Sequence, residues 1–516
     1  MKLQEDKFLK LLSILSIIII CFVITPITFQ NDTFYTIKIG EQIFYNGIDM
    51  MDHFSWHPDL PYTYPHWAYD LITYIIYNNY GFLGLYILTS LLSIVLGGIL
   101  YYVNTKLSKS HMISIIVTLL TMILFKNFIA ARAQLITFIL FILTIFFIEK
   151  ILEEKNECYI DKKVWYTTAL IIIPIIIANF HLAVWPFYFL LYVPYIAEYF
   201  LLSIYERFNN QHKNFLEQKI ILEKKKNTKY LIIIFLLASI TGLLTPTGLE
   251  PYTYLVKTLQ GTTVKNISEH APLVLINKKE ILFFIGIFTS IFTFTNAKIK
   301  LCDIFMICGL LILAIASNRQ VSMLLLIGSI IFTKLLKNFI ESYPINTFKE
   351  KIIIIFTNKI IYFAIFLTIV LLGNLIYSKQ KNDKFISERL YPITASNWIK
   401  QNLEIKDIKL FNEYNYGSYL LYDGIPVFID SRADLYAPEF NGKKMKNGEV
   451  YERNIFDDYI NIVGLNIYYH EQFEKYKITH IILYKNSKLN ILLNNDDRYE
   501  LLYFDEYFVI YKKLIN

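Results

Sequence analysis

The 516 residues are 55% apolar and only 18% charged, where soluble domains run at about 45–50% and 25%. The apolar excess falls in runs of about 17–25 residues, each long enough to cross roughly 30 Å of hydrocarbon as a helix, which excludes a soluble globular chain. The net charge of +7 gathers in short loops between those runs, so it marks orientation and excludes a nucleic-acid footprint.

The chain opens with MKLQEDKFLK and an apolar run. No small-x-small cleavage site follows, so a retained anchor helix is expected. Eleven spans are expected, at 9–29, 84–104, 112–128, 134–150, 164–179, 182–204, 230–245, 281–297, 301–316, 320–336 and 352–377. Basic residues crowd the loops on one side: Lys106, Lys109, Lys162, Lys163, Arg207, Lys213, Lys224 to Lys226, Lys298, Lys300, Lys334, Lys337, Lys349 and Lys351. The positive-inside rule then places the N-terminus in the cytoplasm. With an odd number of spans, the loops 30–83 and 246–280 and the segment from 378 onward face outward.

The loop 30–83 contains two helix-like pieces, TFYTIKIGEQIFYNG and HWAYDLITYIIYNNYG, suited to helices at the outer interface, where Tyr and Trp collect. The polar connector 205–229 reads as a solvated cytoplasmic link. From 378 the chain turns mixed in polarity, with short β-like runs (KLFNEY, VFID, THIILYK, YFVIYKK) around the helical ITASNWIKQNLE. The fold class expected is therefore an α-helical polytopic membrane domain over 1–377, with an extracytoplasmic α/β domain over 378–516 that is long enough for its own core. Cys21, Cys158, Cys302 and Cys308 have no metal spacing, and none lies in that domain, so no disulfide framework is expected.

The polar residues at span ends carry the functional signal. Asp32, Asp49, Asp52, His66 and Asp70 fall in the first outer loop, Arg132 opens the fourth span, and Asn179 and His181 sit in an outer turn. Glu250, Glu269, His270 and Arg319 follow on the same face. Acids and arginines on one membrane face suit transfer from a lipid-linked phosphate, since a carboxylate can take a proton or hold a divalent metal and Arg grips phosphate with two prongs. Each has a plainer reading. Asp32 also reads as the N-cap of a helix starting at Thr33, Asp52 and Glu250 as turn residues, and Arg132 and Arg319 as snorkelling side chains. His181 also reads as a satisfied structural histidine, and Asp430, Arg432 and Asp434 as an ion-pair network as readily as an acceptor surface.

The stretches NDTFYTIKIGEQIFYNGIDMMDHFSW, PHWAYDLITYIIY, AARAQLITFILF, IIIANFHLAVWPF, TPTGLEPY, ISEHAPL and NEYNYGSYLLYDGIPVFIDSRADLY carry a resemblance. Together they are similar to bacterial polytopic membrane glycosyltransferases of the C-type fold. These are glycosyltransferase family 39-like, relatives of protein mannosyltransferases and of the catalytic subunit of oligosaccharyltransferase. The resemblance implies that Asp32 is the essential acid at the start of the first outer loop. It also implies a sugar taken from a polyprenyl-phosphate donor at the outer face. The chain departs from that pattern at His270, where Trp is usual, and at His53, where Pro is usual. It lacks the WWDYG motif, so asparagine glycosylation is not implied.

The expected function is transfer of a sugar from a polyprenyl-phosphate-linked donor to a glycan, lipid or protein acceptor of the cell envelope. Asp32 and Asp52 are the expected catalytic acids. Asp70, His66, Arg132, His181, Glu250 and Arg319 are expected at the substrate, and Asp430, Arg432 and Asp434 on the acceptor side. The metal question stays open, with Mg or Mn as the candidate. Membrane lipids are expected partners and nucleic acid is not. A polar-lipid transporter or flippase, and a non-catalytic envelope scaffold, are the alternatives.

Overall fold

The computed structural model describes residues 7–153, 160–208, 219–222, 227–261, 263–267, 269–274, 278–342, 359–441, 443–446, 449–452 and 454–514. Lys213, Lys224 to Lys226, Lys349, Lys351, Cys158, part of the 205–229 connector and the first residues of the last expected span lie outside the described residues. The chain is mostly helical, and a helix stands at each of the eleven expected positions. Among the described residues, seven helices are long and apolar enough to cross a membrane. They are Trp67–Ser108, His111–Phe128, Gln134–Glu153, Lys163–Phe180, Leu182–Tyr205, Asn318–Ser342 and Lys359–Gln380. Lys7–Val23, Thr228–Leu243, Ile281–Phe294 and Leu301–Ala316 are shorter. The chain is membrane-embedded.

The chain divides into two compact units. The first comprises Met1–Pro26, Ile87–Thr245 and Ser268–Lys381, and the second Ile27–Tyr86, Pro246–Ile267 and Asn382–Asn516. The first outer loop and the Pro246–Ile267 part of the second thus group with the C-terminal segment from Asn382 onward.

In the first unit, Lys7–Val23 packs on Lys359–Gln380, Gln134–Glu153 on Ile160–Phe180, and Val321–Ser342 on both Leu301–Ala316 and His111–Phe125. The core between these helices is aliphatic and aromatic, with Ile115, Met122, Phe125, Ile142, Ile148, Leu170 and Ile177 essentially inaccessible. One ionic cluster interrupts it. Glu149 accepts from Lys300 at 2.7 Å and from Lys334 at 3.1 Å, and Lys334 also reaches Asp303 at 2.5 Å. Lys300 and Lys334, counted above among loop cations, are thus tied to acids on neighbouring helices. Only pairing makes such burial tolerable in an apolar bundle.

In the second unit, the two helix-like pieces of the first outer loop form helices Asn31–Asn46 and Trp67 onward. The second runs on to Ser108 but breaks its helical geometry at Gly81, where φ is +60°. These two helices touch at Gly40, where a Cβ would stand 2.1 Å from the Asp70 carbonyl oxygen. Glycine is needed there because only a missing side chain lets the backbones come so close.

The C-terminal part carries a four-stranded sheet. Its order is Leu410–Phe411, His480–Tyr484, Phe508–Lys513, Tyr499–Phe504, the first pair parallel and the other two antiparallel. ITASNWIKQN is helical over Ile393–Asn402. VFID is extended but joins no strand, because its hydrogen bonds go elsewhere. Asn412 accepts from Phe428 N at 2.8 Å and donates to Ile429 O at 2.7 Å, while Val427 pairs with Phe54 and Trp56 of the first loop.

Candidate functional site

The second unit gathers most of the acids singled out in the sequence. Helix Asn31–Asn46 begins two residues earlier than an Asp32 cap requires. Its N-cap is Gln30, no side chain caps it, and Asp32 lies inside the first turn. A carboxylate there is favoured by the helix dipole by about 0.3–1 kcal/mol, but it is not what starts the helix. Asp32 is partly exposed. One turn further on, Tyr35 shares its face and is buried; the Tyr35 hydroxyl lies 3.2 Å from His66 Nε2. His66 Nδ1 in turn lies 3.0 and 3.1 Å from the two oxygens of Asp70, which is fully buried. The His66 ring thus lies between Asp70, on its Nδ1 side, and the Tyr35 hydroxyl, on its Nε2 side. The order Asp70, His66, Tyr35 forms a fixed relay directed at the helix face that bears Asp32.

Beside it lies a second buried network. Arg432 grips its near neighbour Asp430 with Nε at 2.9 Å and Nη2 at 2.7 Å, and reaches Asp52 with Nη1 at 2.7 Å. Tyr436 donates to the second Asp430 oxygen at 2.5 Å. The Asp52 oxygens also accept from Ser55 N, Ser55 Oγ and Phe54 N. Burial works to raise the Asp52 carboxyl, but Arg432 and then Ser55 outweigh it and hold it below the usual carboxylate range. The guanidinium also lies over the rings of Tyr62 and Phe54, at 5.0 and 5.6 Å. Tyr62 carries a buried hydroxyl with no hydrogen-bond partner among the described residues. Burial, then the charge of Asp70, pushes that hydroxyl well up against the pull of Arg432. Asp434 is separate from the Arg432 fork and accepts from Tyr254 of the second outer loop. Glu250 pairs with Lys257 at 2.9 Å on its own helix.

The structure thus brings Asp52, Asp430 and Arg432 together as a buried clamp between the first loop and the C-terminal segment. Both oxygens of Asp52 are engaged there, and Asp32, on the same helix as Tyr35, is partly exposed.

The first unit holds the arginines. Arg132 Nη1 stands 3.5 Å from each oxygen of Glu269. The Glu269 carbonyl accepts from Arg319 N at 2.9 Å, so the turn bearing Arg319 is stitched to the Glu269 loop. Among the described residues the Arg319 guanidinium forms no ion pair and no hydrogen bond. Burial works upward on the Glu269 carboxyl, while Arg132 and then Arg319 hold it below the usual range. His270 is pushed down, first by burial and then by Arg319. His181 is buried, and its Nδ1 lies 3.1 Å from Thr137 Oγ1. Glu269 and His270 were visible in the sequence only as an isolated pair. The signal that could have raised them is that their segment and the Arg319 turn are both short connectors on the same expected face.

A divalent ion takes six or more oxygen ligands, several from protein carboxylates or carbonyls. Among the described residues no three His, Cys, Asp or Glu side chains converge on a metal position, and Asp52 and Asp430 are turned to Arg432. Comparison with known proteins adds no assignment: no protein-family model matches the chain, and no curated protein matches it.

Proposed function

We propose that the chain is a membrane glycosyltransferase that moves a sugar from a polyprenyl-phosphate-linked donor to a cell-envelope acceptor at the outer face. The observation that carries this reading is that Arg132 and Arg319 both act on the Glu269 carboxylate, while the Arg319 guanidinium forms no ion pair or hydrogen bond among the described residues. Two arginines around one carboxylate are cations with which a lipid phosphate would pair. The acceptor hydroxyl oxygen attacks the anomeric carbon, the carbon–oxygen bond to phosphate breaks, and Asp32 takes the hydroxyl proton. The phosphate leaves as a monoester carrying one more negative charge, a growing charge that a nearby guanidinium favours in a transition state. Asp70, His66 and Tyr35 act as positioning residues for the helix face that bears Asp32. Asp52, Asp430 and Arg432 hold the fold beneath it. Membrane lipids surround the donor's tail, and the acceptor is a glycan, lipid or protein.

The test is transfer from a radiolabelled polyprenyl-phosphate sugar in membranes carrying the wild type or Asp32→Asn. Loss of a proton acceptor costs about 10²–10⁴-fold in rate, so the variant, present at normal abundance, transfers at least a hundredfold more slowly. Equal transfer by both would refute the base. Movement of the lipid-linked sugar across the bilayer with no transfer in the wild type would identify a transporter instead.

A further inference from the structure

We infer that the buried hydroxyl of Tyr62 is a binding contact for a neutral sugar hydroxyl of the acceptor. This rests on the reading of the chain as a glycosyltransferase, and it narrows the acceptor to one that presents an uncharged saccharide.

Tyr62 is fixed everywhere except at its hydroxyl. Its N–H donates to Met50 O at 2.9 Å, and Asp52 N donates back across the same loop to Leu60 O at 2.9 Å. The ring packs against that of Tyr64, with centroids 4.7 Å apart, and lies 5.0 Å from the Arg432 guanidinium. That guanidinium is itself gripped by Asp430 and Asp52. Tyr62 is only 5% exposed, yet its hydroxyl meets no hydrogen-bond partner among the described residues. The neighbouring Tyr64 hydroxyl shows the ordinary outcome, donating to Asp49 at 2.9 Å. A buried hydroxyl without a partner costs free energy that Phe would avoid. An oxygen kept at such a place points to a partner that comes from outside the chain.

The surroundings decide what kind of partner fits. Tyr254 comes in from the second outer loop and donates to Asp434. Its hydroxyl is pushed well up by burial, then by Asp434, and further by the hydroxyls of Tyr62 and Tyr35 beside it. Burial, then the charge of Asp70, does the same to Tyr62. Three hydroxyls from separate stretches of the second unit, those of Tyr35, Tyr62 and Tyr254, thus gather beside the carboxylates of Asp70 and Asp434. An anion brought here meets those carboxylates at short range and low dielectric, where like charges repel strongly. A hydroxyl brings no charge and both accepts and donates, so it takes the hydrogen bond that Tyr62 offers and gives its own to an oxygen of the cluster. Charge also separates the two sugars of the reaction. The donor sugar carries its phosphate one bond from the ring, whereas a neutral acceptor sugar carries none.

The experiment uses the full chain in nanodiscs of uncharged lipid, with binding read by saturation-transfer NMR. The probes are the methyl glycosides of glucose, galactose, mannose and N-acetylglucosamine, with glucuronate as the charged control. At least one neutral glycoside binds the wild type, and glucuronate does not. Tyr62→Phe, which keeps the ring against Arg432, binds that glycoside about fivefold more weakly, the worth of one hydrogen bond, and melts no lower than the wild type. Tyr64→Phe, which loses a hydroxyl committed inside the loop, binds it within about twofold of the wild type. Binding of none of the four glycosides overturns the inference, as does equal binding by Tyr62→Phe, a loss in Tyr64→Phe as large as in Tyr62→Phe, or binding of glucuronate. Farnesyl phosphomannose binds alongside the glycoside if the seat lies on the acceptor side; displacement of the glycoside would give the seat to the donor and overturn that placement. The underlying reading fails separately. A wild type that binds the glycoside through Tyr62 but transfers no sugar loses the transferase and keeps a saccharide seat, whereas normal transfer with unchanged glycoside binding in Tyr62→Phe removes only the seat.

Discussion

Glu413 gives the second unit a pH dependence whose sign follows from its burial. It precedes helix Tyr414–Tyr422, is 7% exposed, and has one carboxyl oxygen without a hydrogen-bond partner among the described residues. Burial pushes its carboxyl up to about 7, against one backbone hydrogen bond from Tyr484. In the unfolded chain the group returns to 4.5, so between those values the folded state binds the proton and the unfolded state does not. Stability then falls as pH rises through this window, the reverse of a salt-bridged carboxylate. At about 1.4 kcal/mol per pH unit the full cost above pH 7 is about 3 kcal/mol, of which about 2.5 kcal/mol is recovered between pH 8 and pH 5. Glu413→Gln keeps the shape and removes the titration. At pH 8 the variant melts higher than the wild type by about 5–10 °C, taking roughly 2–4 °C per kcal/mol for a unit of this size. Near pH 5 most of that difference is gone. The measurement is the melting temperature of purified protein in detergent from pH 5 to pH 8, read as variant minus wild type so that other titrations cancel. A difference that does not change with pH would refute the argument.

Two substitutions probe the architecture under the candidate site. Arg432→Met strands the buried carboxylates of Asp52 and Asp430, which costs about 3–5 kcal/mol; denaturant unfolding measures it, and a loss under about 1 kcal/mol would mean the clamp is not closed. Gly40→Ala places a methyl 2.1 Å from the Asp70 carbonyl oxygen and forces two helices apart at a cost of about 1–3 kcal/mol. Gly98→Ala, where a Cβ meets nothing within 4 Å, serves as the control and is neutral or stabilising by up to about 1 kcal/mol.

The helices were legible because lipid makes their signal redundant: twenty apolar residues in a row admit little else. The interfacial helices at 31–46 and from 67 were legible for a related reason, since apolar residues recur at helical spacing between polar ones. Strands fared unevenly. THIILYK and YFVIYKK run apolar through the sheet centre and become strands, but VFID, equally apolar, does not. Its partners are the Asn412 side chain and residues 54–57, and no local pattern encodes a hydrogen bond across 370 positions. Tyr499–Phe504, whose exposed Glu500, Leu501 and Phe504 break the alternation of an edge strand, was missed for the opposite reason.

The charges teach the sharper lesson. Counting Lys300 and Lys334 as loop cations treats each lysine as an independent marker of orientation. The fold spends both against Glu149 and Asp303, so their contribution to topology is inseparable from helix packing. The same holds in the second unit, where Asp52 and Arg432 each looked available to a substrate. Three hundred and eighty residues apart in the chain, they neutralise one another. A polar residue in a membrane sequence is thus a candidate for chemistry only after the fold has taken its share. On that criterion Arg319 stands out. Asp32 does not serve as the helix cap its sequence position suggested, and the Arg319 guanidinium holds no ion pair among the described residues. A guanidinium that the scaffold leaves without an ion pair among the described residues is where an anionic substrate group would find a partner.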